Sequence, residues 1–201
     1  MWKSTGGQFW YSTNTNNGSG LTDAVPYEAT FAQDFDGDGF VTRLGTAGND
    51  NLQGGVGNDR FIAGGGSDTL AGGGGNNVFV FDVNSLISLV MNVDTISDFA
   101  ANQDKIQLSK LAFSALSTTG GTAPTGNPLL AADFASITTA ALAESAAAGA
   151  ATAAIVYNTT TGHLFYNADR ATTNGFGANG GQFADLTSKP TLSIADFNAI
   201  A

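Results

Sequence analysis

Asp, Asn and Gly recur at a fixed interval between residues 45 and 80. The stretch divides into four nonapeptides, GTAGNDNLQ, GGVGNDRFI, AGGGSDTLA and GGGGNNVFV. Their sixth positions are Asp50, Asp59, Asp68 and Asn77, and their fourth are Gly48, Gly57, Gly66 and Gly75. Their eighth positions are Leu52, Phe61, Leu70 and Phe79. A Gly-rich linker has no reason to keep that apolar series, so the period reads as a solenoid. Glycine admits positive φ and close backbone approach, and six Gly/Asp-rich residues make a tight turn. The last three residues make a short strand whose middle side chain points inward. Two nonapeptides then form one coil of a flattened right-handed roll. Leu52 and Leu70 stack on one side, Phe61 and Phe79 on the other. Turns 18 residues apart lie one above the next, and their carboxylates repel unless a cation sits between them. Oxygen-only donors favour Ca²⁺, which takes about 6–8 oxygens, backbone carbonyls among them.

The elements around the turns follow from simpler patterns. Ile96, Phe99, Ile106 and Leu108 alternate as two strands joined by a turn. Residues 117–130 are loop material. Ala132-Asp133-Phe134 reads as the start of a short helix with Asp133 as its cap, and ALAESAAA (141–148) has helix propensity, with Gly149 interrupting it. Ile155–Tyr157 and Leu164–Tyr166 read as hairpin strands around TTTGH, with Phe183 and Leu186 in further strand. WKSTGGQFWYSTNT at the N-terminus reads as a hairpin with a Gly-Gly turn. The first 44 residues hold eight of the twenty aromatics, Trp2, Phe9, Trp10, Tyr11, Tyr27, Phe31, Phe35 and Phe40. Core packing of a small β module explains them more simply than sugar binding.

Composition narrows the function. The 201 residues carry a net charge of −10, with 7 Lys plus Arg against 17 Asp plus Glu, and 15 of those acids are Asp. Nothing here would neutralise nucleic-acid phosphates. Cys is absent, which removes disulfide and thiol chemistry. No apolar run approaches the ~18 residues of a transmembrane segment. MWKSTGGQFW lacks the basic-then-apolar pattern of a classical signal peptide. Disorder is set aside because 42% of the chain is hydrophobic. No zinc-protease, nucleophile-elbow or P-loop motif is present. His163, the only His, lies beside a hairpin turn with no Ser elbow to serve. Abundant Asp leaves glycosidase-type acid pairs open, yet each clustered Asp already has a calcium or turn role. The chain reads as non-catalytic.

The nonapeptides resemble the calcium-binding β-roll of the repeats-in-toxin (RTX) family. The resemblance implies two ligand sets. One is Gly45, Ala47 and Asp50 with Gly64, Gly66 and Asp68; the other is Gly54, Val56 and Asp59 with Gly73, Gly75 and Asn77. Ala63 stands where repeat three should begin with Gly. Asn77 keeps an oxygen but not the charge, so the second site should be the weaker. Asp94-Thr95-Ile96-Ser97-Asp98-Phe99 and Asp104-Lys105-Ile106-Gln107-Leu108 resemble the segment that closes RTX rolls. That likeness gives Asp94 the last calcium, leaves Asp98 to cap a turn, and puts Asn102 at the family's turn glycine. IVYNTTTGHLFYNAD…QFADLTSKPTLSIADF resembles the secretion end of many RTX proteins, with Asn167 and Asp169-Arg170 departing from it and weakening any calcium site there. Asp196, Phe197 and Ile200 lie in the terminal stretch that looks like the signal read by type I exporters. The segment ending Asp34-Phe35-Asp36-Gly37-Asp38-Gly39 resembles a tryptophan-rich module that precedes such rolls. Asp34, Asp36 and Asp38 also match the start of an EF-hand loop, but the twelfth position is Gly45, so either a partial calcium site or an Asp/Gly turn is expected. This module is short, which points to a longer chain upstream.

The expected fold is mainly β: an aromatic β module (1–44), a short parallel β-roll or calcium solenoid (45–81), and a roll cap with a small β-rich C-terminal secretion domain carrying one or two short helices (82–201). The expected function is a secreted, extracellular calcium-binding module whose folding is coupled to Ca²⁺ after type I export. Its partners are calcium ions and the type I secretion apparatus. Two alternatives remain: a self-associating extracellular layer, fibre or adhesive matrix, or the accessory region of a larger secreted hydrolase.

Overall fold

The computed structural model describes residues 2–5, 8–11, 28, 32–34, 37–82, 92–141, 144–170, 175–177 and 180–201. At the N-terminus β1 (Trp2–Thr5) pairs antiparallel with β2 (Gln8–Tyr11), Thr5 opposite Gln8, the register of a two-residue hairpin. Strands β3 (Val41–Leu44), β4 (Asn51–Gln53), β5 (Asp59–Ile62), β6 (Thr69–Ala71) and β7 (Val78–Phe81) follow at the nonapeptide interval. They alternate between two sheets. Parallel pairing sets Leu52 beside Leu70 in one and Phe61 beside Phe79 in the other, the two inner columns expected from the eighth positions.

The rest of the chain extends both sheets. β8 (Asp94–Ile96) adds to β6 with Leu70 beside Ile96, and β9 (Lys105–Ser109) adds to β7 with Phe79 beside Ile106. The turn between them places Asn102 at φ 65°, the conformation glycine would otherwise supply. Then come β10 (Asn127–Pro128), β11 (Phe134–Ile137), helix α1 (Glu144–Gly149), β12 (Ile155–Asn158), β13 (His163–Tyr166), β14 (Gly181–Leu186) and β15 (Phe197–Ile200). β14 lies parallel to β8, with Leu186 beside Ile96; β15 lies parallel to β9, with Phe197 beside Ile106. The result is a six-stranded sheet in the order β10-β15-β9-β7-β5-β3 and a seven-stranded sheet in the order β11-β12-β13-β14-β8-β6-β4. One apolar core runs between them from Phe61 and Leu70 through Ile96, Ile106 and Phe113 to Phe183 and Phe197. The fold is mainly β and roll-like, with parallel strands at its centre.

Two helical expectations are corrected in detail. Helix α1 begins at Glu144 and closes at Gly149, six residues in all. At Ala131–Asp133 the chain makes a single 3-10 turn and passes straight into β11. Asp133 does not cap that turn. Its buried carboxylate accepts hydrogen bonds from Ser117 N (2.7 Å), Thr118 N (2.8 Å) and Thr118 Oγ1 (2.7 Å), and Arg170 Nη1 lies 3.3 Å away. Burial alone would raise its pKa, but the Ser117 and Thr118 hydrogen bonds outweigh it and hold the group below the ordinary carboxylate value. A folded pKa below the unfolded one gives stability that is present above the unfolded pKa and lost as pH falls through the folded value. Asp133→Asn should therefore cost about 2–3 kcal/mol at neutral pH. Denaturant unfolding should show that cost shrinking as the pH is lowered below about 4.

Candidate metal centre

The six-residue turns stack in two columns along the edges of the roll. In the first column Asp50 N donates to Asp68 Oδ1 (2.8 Å), and Asp68 N donates to Asp94 Oδ1 (3.0 Å). In the second, Asp59 N donates to Asn77 Oδ1 (3.0 Å), and Asn77 N donates to Asp104 Oδ1 (2.8 Å). The sixth positions thus form two ladders, each carboxylate or carboxamide leaning on the backbone of the turn before it. Fifth positions run the opposite way: Asn49 Oδ1 accepts from Ser67 N (3.0 Å) and Asn58 Oδ1 from Asn76 N (2.8 Å).

Glycine is required where the turns meet. Gly64 adopts φ +90°, and a Cβ there would lie 2.0 Å from Thr46 O. Gly65 N donates to that same carbonyl at 2.9 Å. Gly64→Ala should therefore destabilise the protein by about 1–3 kcal/mol, even with the metal supplied. Ala63, the departure at the head of repeat three, is accommodated because its methyl is buried in the core cluster.

Column one carries the charge problem. Asp50 Oδ2 accepts from Thr46 N (2.6 Å) and Thr46 Oγ1 (2.9 Å). Asp68 is 1% exposed, and its buried Oδ2 has no hydrogen-bond partner among the described residues. Burial first, and the Asp50 charge with it, push the Asp68 pKa up against the Asp50 N–H bond. Asp94 is pushed up to about 7, by burial and then by the Asp68 charge, although the Asp68 N–H opposes the shift. No Lys or Arg pairs with any of the three among the described residues. A buried, orphaned carboxylate oxygen is costly unless a cation completes it. The donor set is hard oxygen throughout, which fits Ca²⁺. Among the described residues no three His, Cys, Asp or Glu side chains converge; the oxygens on offer are carbonyls plus one side chain from each turn.

The other expected residues are placed as follows. Gly45, Ala47, Gly54, Val56, Gly64, Gly66, Gly73 and Gly75 all lie in the stacked turns, with Val56 96% exposed at a tip. Asp98 caps a turn as expected, although a distant one: it accepts from Gly72 N (2.7 Å) and Gly73 N (2.9 Å). Asp34 accepts from Gly37 N (2.6 Å) and Gly39 N (3.0 Å), and Asp38 from Phe40 N (2.9 Å). Both carboxylates are thus engaged by the backbone of an Asp/Gly turn. Asp36 lies outside the described residues. Asp196, Phe197 and Ile200 are 0%, 0% and 8% exposed. Asp196 accepts from Asn102 N (2.6 Å) and closes a capping box with Ser193. His163 stands beside its turn with Nδ1 2.7 Å from Glu144 Oε1, while Glu144 Oε2 takes Asn158 Nδ2 and Thr161 Oγ1 at 2.7 Å each. That network ties α1 to the β12–β13 hairpin. Asn167 is buried and its Nδ2 donates to Ala151 O (2.6 Å), a role inside the backbone.

Asp104 is the residue that sequence reasoning missed. It is 2% exposed, and its Oδ2 accepts from Ala100 N at 2.9 Å. Burial raises its pKa against the hydrogen bonds from Ala100 and Asn77. The signal was present: Asp104 stands two residues before inward Ile106, as Asp59 stands before Phe61.

Among the described residues no helix is long and apolar enough to cross a membrane. No curated protein matches the chain. Residues 44–79 match the RTX calcium-binding nonapeptide repeat, in four copies. That repeat family binds calcium ions, and the matched residues are those of the stacked turns.

Proposed function

We propose that the chain is a non-catalytic, secreted calcium module whose roll is completed when Ca²⁺ enters the Asp50–Asp68–Asp94 column. The observation that carries this reading is the orphaned Oδ2 of buried Asp68, set between two further carboxylates. The first set of ligands is Gly45, Ala47 and Asp50 with Gly64, Gly66 and Asp68; Asp94 takes the last position of the column. Calcium supplies the positive charge that these oxygens lack. The residues themselves supply the rest: tight glycine turns bring carbonyls to the edge, and the side-chain-to-backbone ladder fixes their spacing.

Coupling to type I export follows from the same charges. Where calcium is scarce, the column repels itself and the chain stays open. Asp196, Phe197 and Ile200 are buried once β15 is in its sheet, so an exporter that reads them must meet the chain before it folds. Outside the cell, calcium binds the folded form and pulls the equilibrium toward it.

A calcium titration of the full chain, followed by far-UV circular dichroism and particle size together, tests this reading. Gain of β structure in a particle of constant monomeric size is the expected result. Large ordered assemblies forming with the metal would assign the chain to an extracellular layer or fibre instead. Complete structure in chelator, unchanged by calcium, would remove the folding mechanism.

A further inference from the structure

The two turn columns have unlike electrostatics. In column two Asp59 is 0% exposed, and both its oxygens already have protein partners. Oδ1 accepts from Arg43 Nε at 2.8 Å and Oδ2 accepts from Gly55 N at 2.7 Å. Asn77 is equally occupied, since its Oδ1 accepts from Asp59 N (3.0 Å) and its Nδ2 donates to Gly74 O (3.3 Å). Column one has the opposite character, with three carboxylates and, among the described residues, no cationic side chain and an orphaned oxygen.

Arg43 owes its place to the roll. Parallel pairing of β3 with β5 sets it beside Phe61. It therefore stands at the foot of the inner column that continues as Phe61 and Phe79. An aromatic there would extend the stack; an arginine brings a permanent, weakly hydrated charge into a site where its partner is 1% exposed and it is itself 13% exposed. Five residues before Asp59, the head of that turn is Gly54, where a Cβ would lie 2.1 Å from Gly72 O and 2.8 Å from Asp59 Oδ2. The carboxylate is thus held tightly between its own turn and the guanidinium.

We propose that Arg43 is a built-in counter-ion that replaces calcium in the second column, so that Gly54, Val56, Asp59, Gly73, Gly75 and Asn77 hold no metal in the native chain. This rests on the calcium reading above and narrows it: the metal belongs to one edge of the roll, and the other edge is neutralised from within. Asn77 then belongs to the same device, because a carboxylate there would stand between Asp59 and Asp104 with one guanidinium to offset all three.

Isothermal titration of the chelator-treated full chain with CaCl₂ tests the assignment, with circular dichroism reporting the fold of each variant. Asp59→Asn should leave the calcium stoichiometry of the native chain unchanged, and Asp68→Asn should lower it. Arg43→Met should add one further, weaker equivalent, which Arg43→Met with Asp59→Asn should remove; Arg43→Lys should keep the native number. An Arg43→Met chain that folds only with calcium and carries the extra equivalent also supports the proposal. Loss of an equivalent in Asp59→Asn would overturn it while leaving the calcium reading intact, and so would a folded Arg43→Met chain with native stoichiometry. If Arg43→Met fails to fold under any condition, Asp59→Asn in the native background decides. A native chain that takes up no calcium ends both readings, whereas a native chain that binds calcium and loses an equivalent in both Asp68→Asn and Asp59→Asn ends the Arg43 assignment alone.

Discussion

Asp68→Asn is expected to weaken calcium binding by about 100-fold or more and, in chelator, to stabilise the protein. The two signs come from one site. Asp68 is the middle carboxylate of its column, and its Oδ2 has no other partner. A unit charge within ~4 Å of a divalent ion is worth several kcal/mol even at an effective dielectric of about 20, and each 1.4 kcal/mol is about tenfold in affinity. Without the metal, the same charge is a liability, raised in pKa by burial and by Asp50. Removing it should gain the calcium-free protein about 1 kcal/mol. Calorimetric titration reads the first effect, and the β structure retained in chelator, by far-UV circular dichroism of variant against native chain, reads the second. A variant destabilised equally with and without calcium would mean that Asp68 is merely a turn residue.

Phe79→Ala should be the most damaging single substitution in the roll, at about 3–5 kcal/mol. Phe79 is 0% exposed. Its ring stacks on Phe61 with centroids 4.9 Å apart and planes 11° apart, and Phe99 covers another side at 5.9 Å. Its backbone neighbour in the next rung is Ile106, so the cavity would open between the repeats and the strands that continue them. Calcium cannot offset such a loss, because the metal acts at the edge and the ring fills the middle. Phe79→Leu keeps most of the volume and should cost less than about 1.5 kcal/mol. Denaturant unfolding at saturating calcium measures both; equal costs for Ala and Leu would contradict a close-packed inner column.

The repeats were legible because nine residues return the chain to the same environment. A strand-facing series, Leu52, Phe61, Leu70 and Phe79, and a turn series, Asp50, Asp59, Asp68 and Asn77, then show themselves at fixed phase. Beyond Phe81 the phase survives but the interval does not. Asp94 answers Asp68 across 26 residues and Asp104 answers Asn77 across 27, in place of 18. Family resemblance supplied Asp94; Asp104 had only its position two before Ile106 to betray it. The extension of both columns by Leu186 and Phe197 was hidden for the same reason, since parallel pairing with Ile96 and Ile106 joins strands about 90 residues apart. Asp133 misled because local pattern suggests a cap, whereas its donors Ser117 and Thr118 come from another loop. Arg43 carried no local signal at all: its meaning lies in Asp59, which only the roll brings to it.

Hydrogen exchange of the full chain, compared between saturating calcium and chelator, tests the central claim most directly. Calcium should slow exchange at the amides of residues 45–50 and 64–68, whose turns stack with Gly64 against Thr46 and Asp68 Oδ1 on Asp50 N, by at least about tenfold. Equal protection of those amides in both conditions would contradict the account, because the first column would then be complete without its ion.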